Sequence, residues 1–357
     1  MFFLPRVRAR MAEEQLSGLI ITSPSHLHYL TGLDVPSHDR LNALLLTQER
    51  ADILSFHLSP LCPEGFSVRL YQDPDAAPRL LADWIRKYAA GPVLGVDGTL
   101  PSRYLLPLMD LVPEHSFRCT RCVEQVRMIK EPEEIEKLHR ASAITDRVFS
   151  MAFSQLREGM TELAFGHVFS DCFEACGAGP FPGHPMVAFG KGTADVHHIP
   201  GDYALRPGDA VMVDTGKAID GYYSDMTRTV FWKSATPRQI QVYETVLEAN
   251  RKALSCIRPG ISLRNVHTTA CDVIRAAGYG SYYPHRTSHG IGMDYHEEPF
   301  DTASSTHIIA EGMCFSVEPG IYLPNAFGVR IEDLVAVTHD GFRLLTHADK
   351  ALTILGI

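Results

Sequence analysis

The chain has 357 residues, of which 45% are hydrophobic and 21% charged, and its formal net charge is −9 at pH 7. This composition is that of an ordinary globular protein, and the length predicts two domains because one hydrophobic core seldom grows so large. The negative charge disfavours nucleic acid or an anionic membrane as the main partner. The amino terminus lacks a signal-peptide core, no apolar run could cross a membrane, and the scattered cysteines indicate reduced thiols, so we expect a cytoplasmic protein.

Residues 1–121 alternate helical and strand-like segments, which predicts an α/β layer domain. The predicted strands are 17–23, 41–47, 51–56 and 92–98, and the predicted helices are 7–16, 77–88 and 104–111. This part of the sequence carries no recognisable catalytic arrangement. We therefore expect the chemistry in a second domain, residues 122–357.

The second domain opens with a long amphipathic helix. Pro132 and a cluster of glutamates suit its first turn, and apolar residues then recur at helical spacing. A six-residue phrase at 156–161 returns in similar form at 257–262, each time between two helical segments. The echo predicts a duplicated unit of helices and strands, with a cleft between its halves.

Two aspartates lie on a predicted hairpin in this domain. The segment PGDAVMVDTG reads as a strand that carries Asp214, and a turn at Asp220-Gly221 returns the chain in YYSDMTRTVF. Asp225 is thereby expected beside Asp214. Two neighbouring carboxylates in a partly buried sheet would repel each other and raise a pKa, and divalent cations remove that cost.

Further candidate ligands follow in SHGIGMDYHEEP, FSVEPG and GVRIED. These segments add His289, Glu318 and Glu332 to the two aspartates as candidate metal ligands. Four carboxylates and one imidazole in apolar or glycine-rich surroundings predict a cage for two divalent metal ions, with Asp225 and Glu332 as bridges. The alternative is a structural charge network around Arg228 and Arg330.

A pair of metal ions can activate a water molecule and polarise a carbonyl, so the expected chemistry is amide hydrolysis. Glu318 is suitably placed to transfer the proton of the attacking water. His197, His285 and His296 are the histidines available to stabilise the tetrahedral oxygen.

The segments HHIPGD, VDTG, SDMTRT, HRTSHGIGMDYHEEP, SVEPGIY and GVRIED, in this order, resemble those of the pita-bread metallopeptidases. That family includes methionine aminopeptidase, aminopeptidase P, prolidase and the metal-free creatinase. The first domain and the segment KEPEEIE are similar to the creatinase, prolidase and aminopeptidase P branch. The resemblance implies an α+β fold: an N-terminal creatinase-like α/β domain (1–121) and a C-terminal pita-bread catalytic domain with a pseudo-twofold repeat (122–357).

The resemblance also implies roles for individual residues. The implied metal ligands are Asp214, Asp225, His289, Glu318 and Glu332. The implied catalytic residues are His197, His296 and Glu318, and the substrate-binding residues are His285, Tyr222 and Arg330. The implied cofactors are two divalent ions, manganese in the first place, with cobalt, zinc or iron as alternatives. A homodimer is expected from the same resemblance.

The main functional prediction is an Xaa-Pro peptidase of the aminopeptidase P type, acting on small peptides with proline at the second position. The first alternative is an Xaa-Pro dipeptidase, or prolidase. Many prolidases carry Arg after HExP, where it can hold the carboxylate of a dipeptide, whereas Phe300 follows HEEP here. The more distant alternatives are a related small-molecule C–N hydrolase and a non-catalytic binding module, although retention of all five ligands argues against the latter.

Overall fold

The computed structural model describes residues 3–35, 40–72, 77–181, 183–301 and 305–357. The chain divides into two compact units, Met1–Arg127 and Met128–Ile357. The predicted domain boundary follows residue 121, six residues before the end of the first unit, and the short helix Cys122–Met128 spans this difference.

The first unit is an α/β structure built on one six-stranded sheet. Its strands are β1 (Gly18–Ile21), β2 (Ala43–Leu46), β3 (Ala51–Phe56), β4 (Ser67–Tyr71), β5 (Val93–Val96) and β6 (Ser116–Cys119). Their order is β4-β3-β2-β1-β5-β6, with β1 antiparallel to β2 and parallel to β5. The helices are α1 (Leu4–Glu13), α2 (Pro24–Thr31), α3 (Ala77–Tyr88), α4 (Ser102–Leu111) and α5 (Cys122–Met128). All four predicted strands are present.

Four long helices in the second unit are arranged as two successive pairs. They are α6 (Pro132–Phe153), α7 (Glu162–Ala175), α8 (Pro237–Ser255) and α9 (Leu263–Ala276). Helix α6 begins as predicted, with Pro132 in its first turn and a capping box formed by Glu131 and Glu134. Across the described ranges of the chain, none of the helices combines the length and the apolar character needed to cross a membrane.

The strands of the second unit form two main sheets and two small hairpins. They are β7 (Met186–Phe189), β8 (Ala210–Thr215), β9 (Ala218–Ile219), β10 (Tyr222–Tyr223), β11 (Met226–Trp232), β12 (His289–Gly290), β13 (Glu297–Phe300), β14 (Cys314–Val317), β15 (Gly320–Leu323), β16 (Phe327–Arg330), β17 (Asp333–Val337), β18 (Phe342–Leu344) and β19 (Ile354–Leu355). The main sheets have the orders β19-β11-β8-β7 and β13-β12-β14-β17-β18.

The two halves of the second unit repeat the same local structure where the sequence echo lies. Gly159 and Gly260 have φ of +77° and +87°, a left-handed conformation that favours glycine. Each donates its backbone N–H, at 2.9 Å, to a carbonyl farther along its own half. Thr161 and Ser262, the N-caps of α7 and α9, each form an isolated antiparallel bridge. Each half therefore builds a helix pair and then a sheet, as the echo predicts.

Candidate functional site

The first two predicted ligands lie on neighbouring strands. Asp214 is on β8, and Asp225 immediately precedes β11. These strands are antiparallel, with Asp214 opposite Thr227. Val211 and Val213 pack in the core with α6 and α7, so the alternation of a strand directs Asp214 to the other face. The hairpin thus carries both carboxylates on the face of the sheet opposite α6 and α7.

The other three predicted ligands come from the second half. His289 is on β12, Glu318 follows β14 and Glu332 precedes β17. Strands β14 and β17 are antiparallel with Val317 opposite Asp333, so the two glutamates next to them are neighbours. The backbone N–H of Glu332 donates to a carbonyl of β11 at 3.1 Å. This hydrogen bond joins the ligand-bearing strands of the two halves.

The five side chains converge closely enough to share metal ions. One ligand atom from each of Asp214, Asp225 and Glu332 lies within 4.8 Å of the others. Two more groups meet the same limit: His289 with Glu318 and Glu332, and Asp225 with His289 and His296. Asp225, His289 and Glu332 each belong to two of the three groups, and of these Asp225 and Glu332 have two carboxylate oxygens with which to bridge a pair of cations.

His289 is oriented as a neutral metal ligand. Its Nδ1–H donates to the carbonyl of Gly290 at 3.0 Å, which leaves the lone pair on Nε2. Nε2 lies 3.5 Å from Asp225 Oδ2, 3.6 Å from Glu318 Oε1 and 3.8 Å from Glu332 Oε1. Burial lowers the pKa of His289 to about 3, so the ring remains neutral at physiological pH. A neutral imidazole is the form that binds metal.

Glu318, Asp225 and Glu332 in the cage have raised pKa values. Burial raises the pKa of Glu318 to about 8, despite the opposing effect of Arg330. Burial and neighbouring carboxylates raise the pKa values of Asp225 and Glu332 well above the ordinary range. Arg330 supplies one positive charge, donating from Nη2 to Asp214 Oδ2 at 2.5 Å. The cluster needs further positive charge before all four carboxylates can ionise together.

This cluster fits divalent cations better than it fits a structural charge network. Oε1 of Glu332 is buried and, among the described residues, has no hydrogen-bond partner, as expected of a metal-ligand atom. Arg228 does not neutralise the cage, because its guanidinium pairs with the carboxylate of Asp333 at 2.8 Å. Among the described residues, Arg330 is therefore the arginine that pairs directly with a carboxylate of the cage. Carboxylate oxygens with one imidazole suit manganese, cobalt, iron or zinc.

The cage forms part of the lining of a cavity of about 620 Å³. Besides the five ligands, the lining residues are Met186, Val196, His197, His198, His285, Arg286, Tyr295, His296 and Arg330. A cavity of this size accommodates a small organic molecule or a short peptide. Nine of the ten predicted site residues therefore meet in one place.

His285 is held by hydrogen bonds on both of its ring nitrogens. Nδ1–H donates to the carbonyl of Arg286 at 2.7 Å, and Nε2 accepts from the hydroxyl of Tyr322 at 2.8 Å. The same hydroxyl accepts from Arg330 at 2.8 Å. Burial lowers the pKa of His285 to about 4, which keeps the ring neutral. The ring is thus fixed in the cavity wall by a series of hydrogen bonds from Arg330 through Tyr322 to His285.

His197 and His296 line the same cavity and are both exposed. The ring of His296 meets that of His289 edge-on, with the ring centroids 4.3 Å apart. Burial of its ring atoms, with the nearby charge of Arg286, lowers the pKa of His296. A neutral imidazole beside the cage can donate a hydrogen bond to a developing oxyanion.

Tyr222 is the predicted site residue that the structure places away from the cavity. Its hydroxyl donates to Glu134 Oε1 at 2.7 Å, and the ammonium group of Lys137 lies 5.0 Å from the centre of its ring. Both partners belong to α6. The structure thus gives Tyr222 a place in the packing of that helix.

Five lining residues were not predicted from the sequence, and Tyr295 and Arg286 are the two whose contacts bear on the site. The hydroxyl of Tyr295 donates to Asp225 Oδ1 at 2.7 Å, which orients a predicted metal ligand. The guanidinium of Arg286 lies over the ring of Phe300, 4.5 Å from its centroid. Each of the two residues stands next to a predicted histidine in HRTSHGIGMDYHEEP. That adjacency was the available signal, but the direction of each side chain depends on the folded loops.

Comparison with known proteins identifies both parts of the chain. Residues 136–339 match the model of metallopeptidase family M24, and residues 4–129 match the creatinase/prolidase N-terminal domain. These two models cover nearly all of the sequence between them.

Similar proteins align with this chain along almost its full length. An Xaa-Pro dipeptidase of Lactobacillus helveticus is 34% identical, covering 94% of this chain and 94% of that protein. A probable dipeptidase, PepE, of Mycobacterium tuberculosis is 36% identical over 98% of this chain and 95% of its own length. The crystal structure of dipeptidase PepE from Mycobacterium ulcerans superposes with a TM-score of 0.92 at 33% identity, covering 99% of this chain and 97% of that one. The chain therefore belongs to metallopeptidase family M24, with a creatinase/prolidase N-terminal domain, and is a metal-dependent hydrolase of the pita-bread type.

Proposed function

We propose that this protein is an Xaa-Pro dipeptidase that uses two divalent metal ions to hydrolyse the bond before a carboxy-terminal proline. The observation that carries the proposal is the convergence of five predicted ligands on one 620 Å³ cavity, in a chain similar to dipeptidases over its full length. The proposed ligands are Asp214, Asp225, His289, Glu318 and Glu332, with manganese as the preferred metal.

The comparisons support the dipeptidase alternative of the sequence analysis better than its main prediction of an aminopeptidase P. The relatives at 34% and 36% identity are described as an Xaa-Pro dipeptidase and a probable dipeptidase. Phe300 had weighed against a dipeptidase because it follows HEEP, where many prolidases carry Arg. A cationic side chain elsewhere in the cavity would remove that objection.

Different residues of the chain are proposed to transfer the proton, stabilise the oxyanion and bind the proline ring. Divalent cations, when bound, supply Lewis-acid polarisation of a carbonyl and lower the pKa of water. Glu318, which lines the cavity with Oε1 3.6 Å from His289 Nε2, accepts and returns a proton. His296 and His197 donate hydrogen bonds to the oxygen of the tetrahedral transition state. An imide nitrogen has no N–H to satisfy, so the half-buried wall formed by His285 and Met186 suits a proline ring.

A paired peptide assay tests this function. Purified protein loaded in turn with manganese, cobalt and zinc is given Ala-Pro and Ala-Pro-Ala, and released alanine is measured. We expect cleavage of the dipeptide at least tenfold faster than of the tripeptide, and close to two metal ions per chain by elemental analysis. Glu318→Gln should be inactive, whereas Glu244→Gln on the exposed face of α8 should retain full activity. Faster cleavage of the tripeptide would restore the aminopeptidase P assignment, and cleavage of neither would end the Xaa-Pro assignment.

We also propose a cytoplasmic homodimer. All eight cysteines are free, as is usual in a reducing compartment. Light scattering coupled to size exclusion should give about twice the chain mass of 39.6 kDa. A mass of one chain over the micromolar range would contradict the dimer.

A further inference from the structure

The cavity contains two arginines, and they have different surroundings. The guanidinium of Arg330 is buried and already hydrogen-bonded within the protein, since it donates to Asp214, Tyr322 and the hydroxyl of Thr227. Arg286 is half-buried in the cavity lining. Over the ranges that the structure describes, its guanidinium has neither an ion-pair partner nor a hydrogen-bond acceptor. Arg286 is therefore the cation that a ligand in the cavity could engage.

Arg286 is held in place by an aromatic ring. Its guanidinium lies 4.5 Å from the centroid of Phe300, in the geometry of a cation–π contact. Arg286 lies three positions before the start of β12, and Phe300 ends β13. These strands are antiparallel, with His289 opposite Phe300. Stacking a planar guanidinium restricts its rotation and leaves its edge N–H groups available to an acceptor. The pair thus forms a preorganised donor beside the cage.

A dipeptide substrate brings a charge that this cavity must accommodate. The cage contributes four carboxylates, and a substrate with a free carboxy terminus adds one more. The carboxylate of Xaa-Pro lies within a few bonds of the scissile amide, so it must enter the same cavity. A guanidinium binds a carboxylate through two parallel N–H···O bonds, which fixes position as well as charge.

We propose that Arg286 binds the carboxy-terminal carboxylate of the substrate's proline, and that Phe300 positions Arg286 for this contact. The inference rests on the proposed dipeptidase function and names the residue that selects for a free carboxylate. It assigns to a side chain before β12 the carboxylate-binding role that many prolidases give to an arginine after HExP. A phenylalanine can then occupy position 300 without loss of dipeptide specificity.

The test compares one dipeptide with and without its negative charge. Ala-Pro and Ala-Pro-amide are hydrolysed by manganese-loaded full-length wild type, Arg286→Met and Arg286→Lys, and kcat/KM is measured for each substrate. We expect Arg286→Met to lower kcat/KM about ten- to hundredfold for Ala-Pro and less than about threefold for the amide, as for a lost charge-assisted hydrogen bond. Arg286→Lys should recover part of the loss, because it restores charge without the planar fork. Arg343→Met, on an exposed position of β18, is the matched control and should leave both rates unchanged.

Product inhibition gives a second measurement. Proline should inhibit the wild type more strongly than prolinamide, and Arg286→Met should remove that difference. Phe300→Leu should weaken inhibition by proline severalfold while leaving inhibition by prolinamide unaltered. An equal loss on Ala-Pro and Ala-Pro-amide in Arg286→Met would overturn the assignment. Absence of dipeptide cleavage by wild type would instead overturn the proposed function, so the two failures are distinguishable.

Discussion

Replacing Arg330 with methionine should destabilise the metal-free protein strongly. The guanidinium is 2% exposed, and it donates at 2.5 Å to Asp214 and at 2.8 Å to Tyr322. Removing one partner from a buried ion pair costs about 3–5 kcal/mol, since the other charge stays behind. The second unit, Met128–Ile357, has an unfolding entropy of about 0.5 kcal/mol/K by size scaling. The cost corresponds to a fall in Tm of roughly 6–10 °C.

Differential scanning fluorimetry with EDTA and with manganese measures this effect. In manganese, the fall in Tm caused by Arg330→Met should be less than half of the fall in EDTA, because the cations neutralise the same carboxylates that Arg330 compensates. Arg343→Met removes an exposed positive charge from the same unit and should shift Tm by about 1 °C or less. An equal fall in Tm for Arg330→Met with and without metal would refute charge compensation by the cations. An unchanged Tm would refute the stabilising role of the buried ion pair.

Three further predictions concern the imidazole, the chelated protein and the first unit. His296→Ala should lower kcat about a hundredfold or more with two metal ions still bound; unchanged turnover would exclude His296 from the mechanism. Chelation with EDTA should abolish hydrolysis and lower Tm, and manganese should restore both; activity that survives metal removal would contradict the two-metal proposal. Asp97 is buried and accepts from the backbone N–H groups of Thr22 and Ser23 at 2.7 and 2.8 Å. Burial alone would raise its pKa, but His26 and these N–H groups lower it. Its contribution to stability is therefore complete above about pH 4 and is lost as pH falls through the lower folded-state pKa. Urea unfolding should show Asp97→Asn destabilised at pH 7, with the difference from wild type narrowing towards pH 2; a constant difference would contradict this.

The convergence of the proposed metal ligands could be predicted from the sequence because the chemistry of these residues leaves few alternatives. Carboxylates such as Asp225 and Glu332, each directly before an apolar strand, are too costly to bury without cations. Tyr222 was predicted as a substrate-binding residue but lies away from the cavity, so sequence position alone did not locate its side chain. It stands three residues before Asp225, yet the β9–β10 hairpin turns its hydroxyl to Glu134 on α6. Arg286 escaped prediction because its significance lies in the ring across the β12–β13 pair, and sequence spacing does not report that contact.

The fold of the first unit was predictable where strands are central and harder to predict at the edges. The four strands found from apolar runs are buried, as in Ala43–Leu46, whose residues are all buried. The two missed strands, Ser67–Tyr71 and Ser116–Cys119, lie at opposite edges of the sheet and are largely exposed. An edge strand with one covered face needs few apolar residues, so its composition resembles that of a loop.

The repeat in the second unit has a consequence for how the metal centre is assembled. The half that follows Gly159 supplies Asp214 and Asp225, and the half that follows Gly260 supplies the remaining three ligands. Neither set alone contains the five ligands proposed for two cations, so the proposed hydrolysis requires both copies to be docked. Cations bound in the proposed cage would join the two copies, and we expect a fragment that contains either copy alone to be inactive.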